Sequence, residues 1–256
     1  MNVSLVQPEL AWEDTTANLE MLEDMFSGIP EGTDLIILPE TFSTGFTMRA
    51  ELFAEEESSG KALMWMQEVA REKKSAIAGS LIVRERERIY NRLYWVSPEG
   101  IQGYYDKRHL FRMGREDRAF SPGSHRKIFT CGPFRVMPQI CYDIRFPVFS
   151  RNRGDYDILM YVANWPAPRH GIWETLLRAR AIENQSYVLG VNRTGADGEG
   201  VDHLGGTCVI DHTGNVVRML DGYPGILNTT IHLEEIREFR TKFPAWKDGD
   251  QFTLNL

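Results

Sequence analysis

The sequence predicts an α/β protein in which two sheets are covered by helices within one domain. Two observations carry that expectation. Short apolar runs alternate with helical patterns, the mark of repeated βα units. The second half of the chain also resembles the first in layout, and no linker, low-complexity tract or sequence repeat divides them. A length of 256 residues, 42 % apolar and 25 % charged, is enough for a large core and excludes general disorder.

In chain order, Val3 to Val6 reads as a strand, and Glu13 to Ser27 as a helix with Leu19, Leu22 and Phe26 on one face and Gly28 ending it. Asp34 to Leu38 is a strand buried on both faces, because four apolar residues follow one another. Gly60 to Lys74 is a helix with Leu63, Met66 and Ala70 inward. Ile77–Val83, Ile89–Val96 and Ile101–Asp106 are strands, the last two joined through the turn Ser97-Pro98-Glu99-Gly100. Residues 108–125 form a long loop rich in charge, Gly and Pro, a length more often functional than idle. Phe134–Ile140 is a strand, 146–153 a short helix, Asp157–Ala163 a buried strand and Trp173–Gln185 a helix with Leu176, Leu177 and Ala181 on one face. Tyr187–Val191, Thr207–Asp211, Val216–Leu220 and Ile226–Ile231 complete a second set of strands, and Glu234–Lys242 is a closing helix.

Charge and cysteine content narrow the function. A net charge of −7 argues against a general nucleic-acid binder, since a phosphate backbone attracts basic surfaces. No apolar stretch approaches a membrane span, and no secretory signal opens the chain. Three cysteines without a metal-ligand pattern read as reduced thiols in a cytosolic protein.

Three residues that can carry chemistry each close a strand. Cys141 ends one buried strand before a polar turn, where ligand sites of α/β folds lie; read alone it is equally a small core residue. Cys131 and Cys208, inside strands, read as core. A thiol nucleophile needs a base. His109 and His170, of the six histidines at 109, 125, 170, 203, 212 and 232, flank strand ends and are open candidates. Glu40, closing the strand of Leu35-Ile36-Ile37-Leu38-Pro39-Glu40, is the other, because desolvation there would raise a carboxyl toward the range useful to a base. Lys107 ends Gly103-Tyr104-Tyr105-Asp106-Lys107; its ammonium would stabilise a thiolate or an oxyanion, or sit idle in solvent.

Together these segments resemble a known family. Leu-Pro-Glu40, Tyr-Asp-Lys107-Arg-His-Leu-Phe and Ile-Cys141-Tyr-Asp-Ile-Arg-Phe-Pro are similar to the three signature segments of the nitrilase (carbon–nitrogen hydrolase) superfamily, in order and spacing. The resemblance continues through Tyr161-Val-Ala-Asn-Trp-Pro166 and Arg178-Ala-Arg-Ala-Ile-Glu-Asn-Gln185 to Phe243-Pro-Ala-Trp246, and so covers essentially the whole chain. It is strongest to the bacterial ω-amidase branch. It implies a four-layer α-β-β-α sandwich, a homodimer, and no metal or organic cofactor. It makes Glu40 the general base, Lys107 the oxyanion stabiliser and Cys141 the nucleophile, with the backbone N–H of Tyr142 as a second oxyanion donor. Glu116, in Arg115-Glu116-Asp117-Arg118, would position the substrate amide and Lys107, although Asp117 beside it competes for the role.

An ω-amidase removes the distal amide of a dicarboxylate monoamide such as α-ketoglutaramate or α-ketosuccinamate. The far carboxylate needs a cation. Arg145 suits it, since Arg holds a carboxylate bidentately; the competing reading is a structural ion pair. Phe46 and Trp165 would wall the pocket or pack in the core. Other readings are a superfamily amidase for N-carbamoyl or deaminated-glutathione substrates, a nitrilase, a non-catalytic assembly module and a cysteine redox protein. The segment 243–256, with Phe243, Trp246 and Phe252, is apolar enough to dock on its own subunit or a neighbour.

Overall fold

The structure is a computed structural model that describes residues 1–57 and 59–254. Its strands, among those residues, are β1 (Asn2–Gln7), β2 (Leu35–Ile37), β3 (Glu55–Glu56), β4 (Ala76–Glu85), β5 (Arg88–Ser97), β6 (Gly100–Asp106), β7 (Phe129–Cys131), β8 (Phe134–Ile140), β9 (Ile158–Val162), β10 (Tyr187–Val191), β11 (Thr194–Ala196), β12 (Asp202–Leu204), β13 (Cys208–Ile210), β14 (Val216–Met219) and β15 (Gly225–Thr230). The α-helices are α1 (Thr15–Phe26), α2 (Ala50–Phe53), α3 (Lys61–Lys73), α4 (Glu116–Ala119), α5 (Pro147–Ser150), α6 (His170–Asn184) and α7 (Leu233–Lys242).

Two mixed sheets form the centre. One has the order β15-β1-β2-β4-β5-β6, with β3 paired beside β4; the other runs β14-β13-β10-β9-β8-β7. Strand periodicity assigns each face. Val3, Leu5, Leu35, Ile37, Ala76 and Ala78 point at the second sheet and share a core with its Val136, Ile158 and Leu189. Their alternates Val6, Ile36, Leu38 and Ile77 pack under α1 and α3, against Leu19, Leu22, Phe26, Leu63, Met66 and Ala70. Successive side chains point to opposite faces, so continuous apolar runs are what a strand between two layers must have. On the second sheet's outer side α6 contributes Trp173, Leu177 and Ala181 to the core. The layers are therefore helix, sheet, sheet, helix, as the resemblance implies.

Boundaries shift where a turn requires it. Glu13 has φ 56° and cannot be helical, so α1 starts at Thr15 with Asp14 capping: its side chain accepts from Ala17 N at 3.0 Å. It ends at Phe26, and Gly28 N donates to Met25 O at 2.9 Å, two residues past the helix rather than directly at its end. α6 starts at His170, fed by a 3₁₀ turn over Ala167–Arg169, three residues before the expected Trp173. Leu176 is only half-buried; the inward face also carries Arg180 and Asn184. The short helix expected over 146–153 is confined to Pro147–Ser150, and the loop 108–125 contains α4. The β11–β12 hairpin and β3 are additional to the expected strands, and β7 is the short strand that holds Cys131. The tail folds onto its own chain: Gln185 Nε2 donates to Phe243 O at 2.8 Å, and Arg153 lies over the Phe252 ring at 4.9 Å. Its last two residues, 255 and 256, lie outside the described residues.

Gly79 on β4 fixes how closely the chain leading to Glu40 can approach. A Cβ there would stand 2.8 Å from Leu38 Cβ and 2.9 Å from the Phe42 ring. Gly79→Ala should therefore displace the 38–42 segment and cost about 1–3 kcal/mol of stability. Thermal unfolding measures this; an unchanged melting temperature would contradict the tight packing.

Candidate active site

The candidate residues converge at the carboxyl ends of strands from both sheets. Glu40 follows β2, Lys107 follows β6, Cys141 follows β8 and Asn164 follows β9. Two of the turns are strained. Thr41 and Cys141 have φ of 42° and 45°, each costing about 1–3 kcal/mol in a residue other than glycine. Hydrogen bonds hold both. Thr41 N donates to Ser80 Oγ at 2.8 Å, and Thr41 O accepts from Gly45 N at 2.9 Å. Behind Cys141, Asp143 Oδ2 accepts from Ile140 N at 3.0 Å and from Tyr105 Oη at 2.7 Å. Its Oδ1 accepts from His109 N at 2.9 Å and pairs with His109 Nδ1 at 2.7 Å.

Lys107 and two carboxylates form a fully buried cluster. Lys107 Nζ donates to Glu40 Oε1 at 2.8 Å and Glu116 Oε1 at 2.9 Å, and all three side chains are 0 % exposed. The bond to Glu116 settles the competition with Asp117. Asn91 Nδ2 adds a bond to Glu40 Oε1 at 2.8 Å, and Asn164 N donates to Glu40 Oε2 at 2.8 Å. Glu116 Oε2 accepts from Phe111 N at 2.6 Å.

Burial alone would push the Lys107 amine down, but Glu116 and Glu40 outweigh it and hold it above its ordinary value, so it stays an ammonium. Burial raises Glu116, with Lys107 opposing. The Cys141 thiol is pushed well above its usual range by burial first and by Glu40 second, with Lys107 pulling it back. The resting state is therefore a thiol beside a carboxylate and an ammonium. The charges the thiol feels come from Glu40, Lys107 and Glu116. His109 is bonded to Asp143 and stacks on Phe146 at 4.1 Å, and His170 pairs with Glu174 at 3.4 Å, so both candidate histidines have acidic partners of their own. Cys131 and Cys208 are free and buried in strands, with burial raising them to about 11 and 12.

A cavity of about 420 Å³ opens over Cys141 and Lys107. Its walls include Phe46, Tyr142, Arg145, Asn164 and Trp165, together with Trp12, Phe111, Arg169 and His203, which sequence reasoning missed. Glu40 and Glu116 stand behind this surface. Phe46 faces Lys107, whose Nζ lies 4.9 Å from the ring centre. Trp165 is nearly buried, and Arg145 lies over its ring at 5.3 Å. Among the described residues Arg145 makes no ion pair, which removes its structural reading. Arg169 is arranged alike, 5.2 Å from the Phe111 ring centre. Among the described residues no cluster of three metal-ligating side chains occurs, and no helix is long and apolar enough to cross a membrane.

A sandwich that gathers a thiol, a carboxylate and an ammonium at its strand ends is equipped to attack a polarised carbon. The chain belongs to the carbon–nitrogen hydrolase family, whose model matches residues 2–241. It is 42 % identical over 255 residues to omega-amidase YafV of Escherichia coli K12, spanning 99 % of this chain and 98 % of that one. It is 31 % identical over 250 residues to the 2-oxoglutaramate amidase of Bacillus subtilis, spanning 96 % of each. Among solved structures, the CN-hydrolase superfamily protein XC1258 of Xanthomonas campestris superposes with a TM-score of 0.97 at 40 % identity, covering 100 % of this chain and 99 % of that one. Nit3 of Saccharomyces cerevisiae, 23 % identical with a TM-score of 0.86, shares the fold over 95 % of this chain and 94 % of its own.

The raised thiol has a spectroscopic consequence. The difference spectrum between the free protein and Cys141→Ala should contain no thiolate absorbance at neutral pH. A thiolate band there would mean that Lys107 outweighs burial and Glu40.

Proposed function

We propose that the protein is an ω-amidase, hydrolysing the distal amide of a small dicarboxylate monoamide through a thioester on Cys141. The convergence of Glu40, Lys107 and Cys141 under a cavity that also presents unpaired arginines carries this reading. The names of the Escherichia coli and Bacillus subtilis relatives point to the same substrates.

Donor geometry suggests how Glu40 acts. Oε1 already accepts from Lys107 and Asn91, whereas Oε2, among the described residues, accepts only from Asn164 N. The Oε2 lone pair is the one left to take the thiol proton. The sulfur attacks the amide carbon, and the oxyanion forms between the Lys107 ammonium and the N–H of Tyr142. The 3₁₀ turn beginning at Cys141 leaves that N–H without a partner inside the turn. The proton returns from Glu40 to the amide nitrogen, the C–N bond breaks, and ammonia leaves. A water deprotonated by Glu40 then hydrolyses the thioester and regenerates the thiol. Glu116 anchors Lys107 and orients the substrate amide. Arg145 receives the far carboxylate, with Trp165 stacked beneath it and Phe46 opposite.

The reading extends to a cytosolic homodimer of one catalytic domain per chain, with no cofactor. Val148 of α5 and Ile172 and Ile182 of α6 are exposed apolar side chains that suit a subunit contact, which sedimentation measures.

Ammonia release from a panel of ω-amides, N-carbamoyl amino acids and nitriles tests the assignment. The wild type should prefer α-ketoglutaramate or α-ketosuccinamate, and Cys141→Ala should be inactive. Preference for N-carbamoyl compounds would replace the substrate assignment. Arg145→Ala should raise KM for carboxylate-bearing amides roughly tenfold to a hundredfold more than for neutral amides, as the loss of a charged hydrogen bond does. An equal effect on both would remove Arg145 from the substrate site.

A further inference from the structure

The catalytic cluster has a fourth member that no signature segment contains. Asn91 lies within β5, fully buried, between Ile89-Tyr90 and the run Leu93-Tyr94-Trp95-Val96, with Arg92 beside it. Its Nδ2 donates to Glu40 Oε1 at 2.8 Å and stands 3.5 Å from Glu116 Oε1. Its main-chain carbonyl accepts from Lys107 N at 2.9 Å. One residue thus touches all three charged partners. Its Oδ1 is buried and has no hydrogen-bond partner among the described residues. An unsatisfied buried carbonyl is costly, and native structures keep few of them. The opposite amide orientation would face that oxygen toward two carboxylates, so only the donating orientation is tolerated.

The neighbouring position fixes where this donor stands. Arg92 points to the other face of β5. It bonds Asp106 at 2.7 Å and Glu85 at 2.6 Å, and its guanidinium lies 3.6 Å from the Tyr104 ring centre. Arg92 and Asp106 are register partners between β5 and β6. That pair locks the register in which the next residue on each strand, Asn91 and Lys107, faces the thiol side.

We infer that Asn91 is a positioning residue of the amidase reaction, whose side-chain N–H occupies Oε1 and holds Glu40 turned so that Oε2, not Oε1, meets the Cys141 thiol. The inference rests on the proposed role of Glu40 as base. Hydrogen bonds donated to a carboxylate favour its charged form. Loss of this donor therefore moves the acid limb of kcat/KM to higher pH.

The test uses Asn91→Leu, which keeps the size and the main-chain bond to Lys107 while removing the donor. Asn91→Asp is the second variant, replacing the donor with a third carboxylate. Both should lower kcat/KM roughly tenfold to a hundredfold, mainly through kcat, and move the acid limb upward, Asn91→Asp further. If Asn91→Leu does not fold, Asn91→Asp alone carries the comparison. The rate of Cys141 alkylation by iodoacetamide against pH is a substrate-free readout and should move in the same direction. A limb that stays in place in both readouts overturns the inference, even when activity falls. An alkylation profile that shifts while the wild type hydrolyses no ω-amide keeps Asn91 in its role and overturns the substrate assignment instead.

Discussion

One ammonium between two carboxylates, none of the three exposed, is the constraint on which the rest of this molecule depends. Such a cluster carries a net negative charge in a low-dielectric interior, where each ion loses several kcal/mol of hydration. It persists because every carboxylate oxygen has a donor: Lys107 for both carboxylates, Asn91 and Asn164 for Glu40, and the Phe111 N–H for Glu116. The same arrangement explains the neutral resting thiol. Charge that Lys107 could lend to Cys141 is already shared between two carboxylates, and burial and Glu40 outweigh what remains.

Rigid backbone brings these groups together. Glu40 and Lys107 come from one sheet, Cys141 and Asn164 from the other. Asn164 links them most directly. Its N–H and its side-chain amide both bond Glu40, at 2.8 and 2.6 Å, across 124 positions of chain. The left-handed turns at Thr41 and Cys141 lift the reactive groups out of their strands, and the bonds of Ser80 and Asp143 keep that strain in place.

Glu40 and Cys141 stood out in the sequence because each follows a buried apolar strand, Lys107 because it closes the Tyr-Tyr-Asp end of a more polar one, and order and spacing made three weak signals one strong signal. Glu116 needed the fold to separate it from Asp117, since adjacent acids in a loop have the same composition and differ only in direction. Phe111 and Arg169 sit in irregular segments whose paths are set by tertiary contacts, which leaves no periodicity to read. Asn91 did leave a mark: Asn91-Arg92 is a polar pair between the apolar and aromatic stretches Ile89-Tyr90 and Leu93-Tyr94-Trp95-Val96. Such a pair can be buried only if both faces of the strand offer partners. The missed β11–β12 hairpin is short and polar, and the misjudged start of α6 lies where Pro166 and Pro168 obscure the helical pattern. The alternation of strands and helices was read correctly because burial on both faces writes itself into residue type.

The division of labour between frame and rim has an evolutionary corollary. The proposed reacting groups are anchored to strand ends and to one another, and Arg145 and Phe111 share their turns with that anchoring, whereas Arg169 is presented from a separate 3₁₀ turn, Ala167–Arg169. Descendants of this chain could exchange their diet most cheaply by redrawing that separate turn. Drift in the strand termini would disable catalysis before it altered what is recognised.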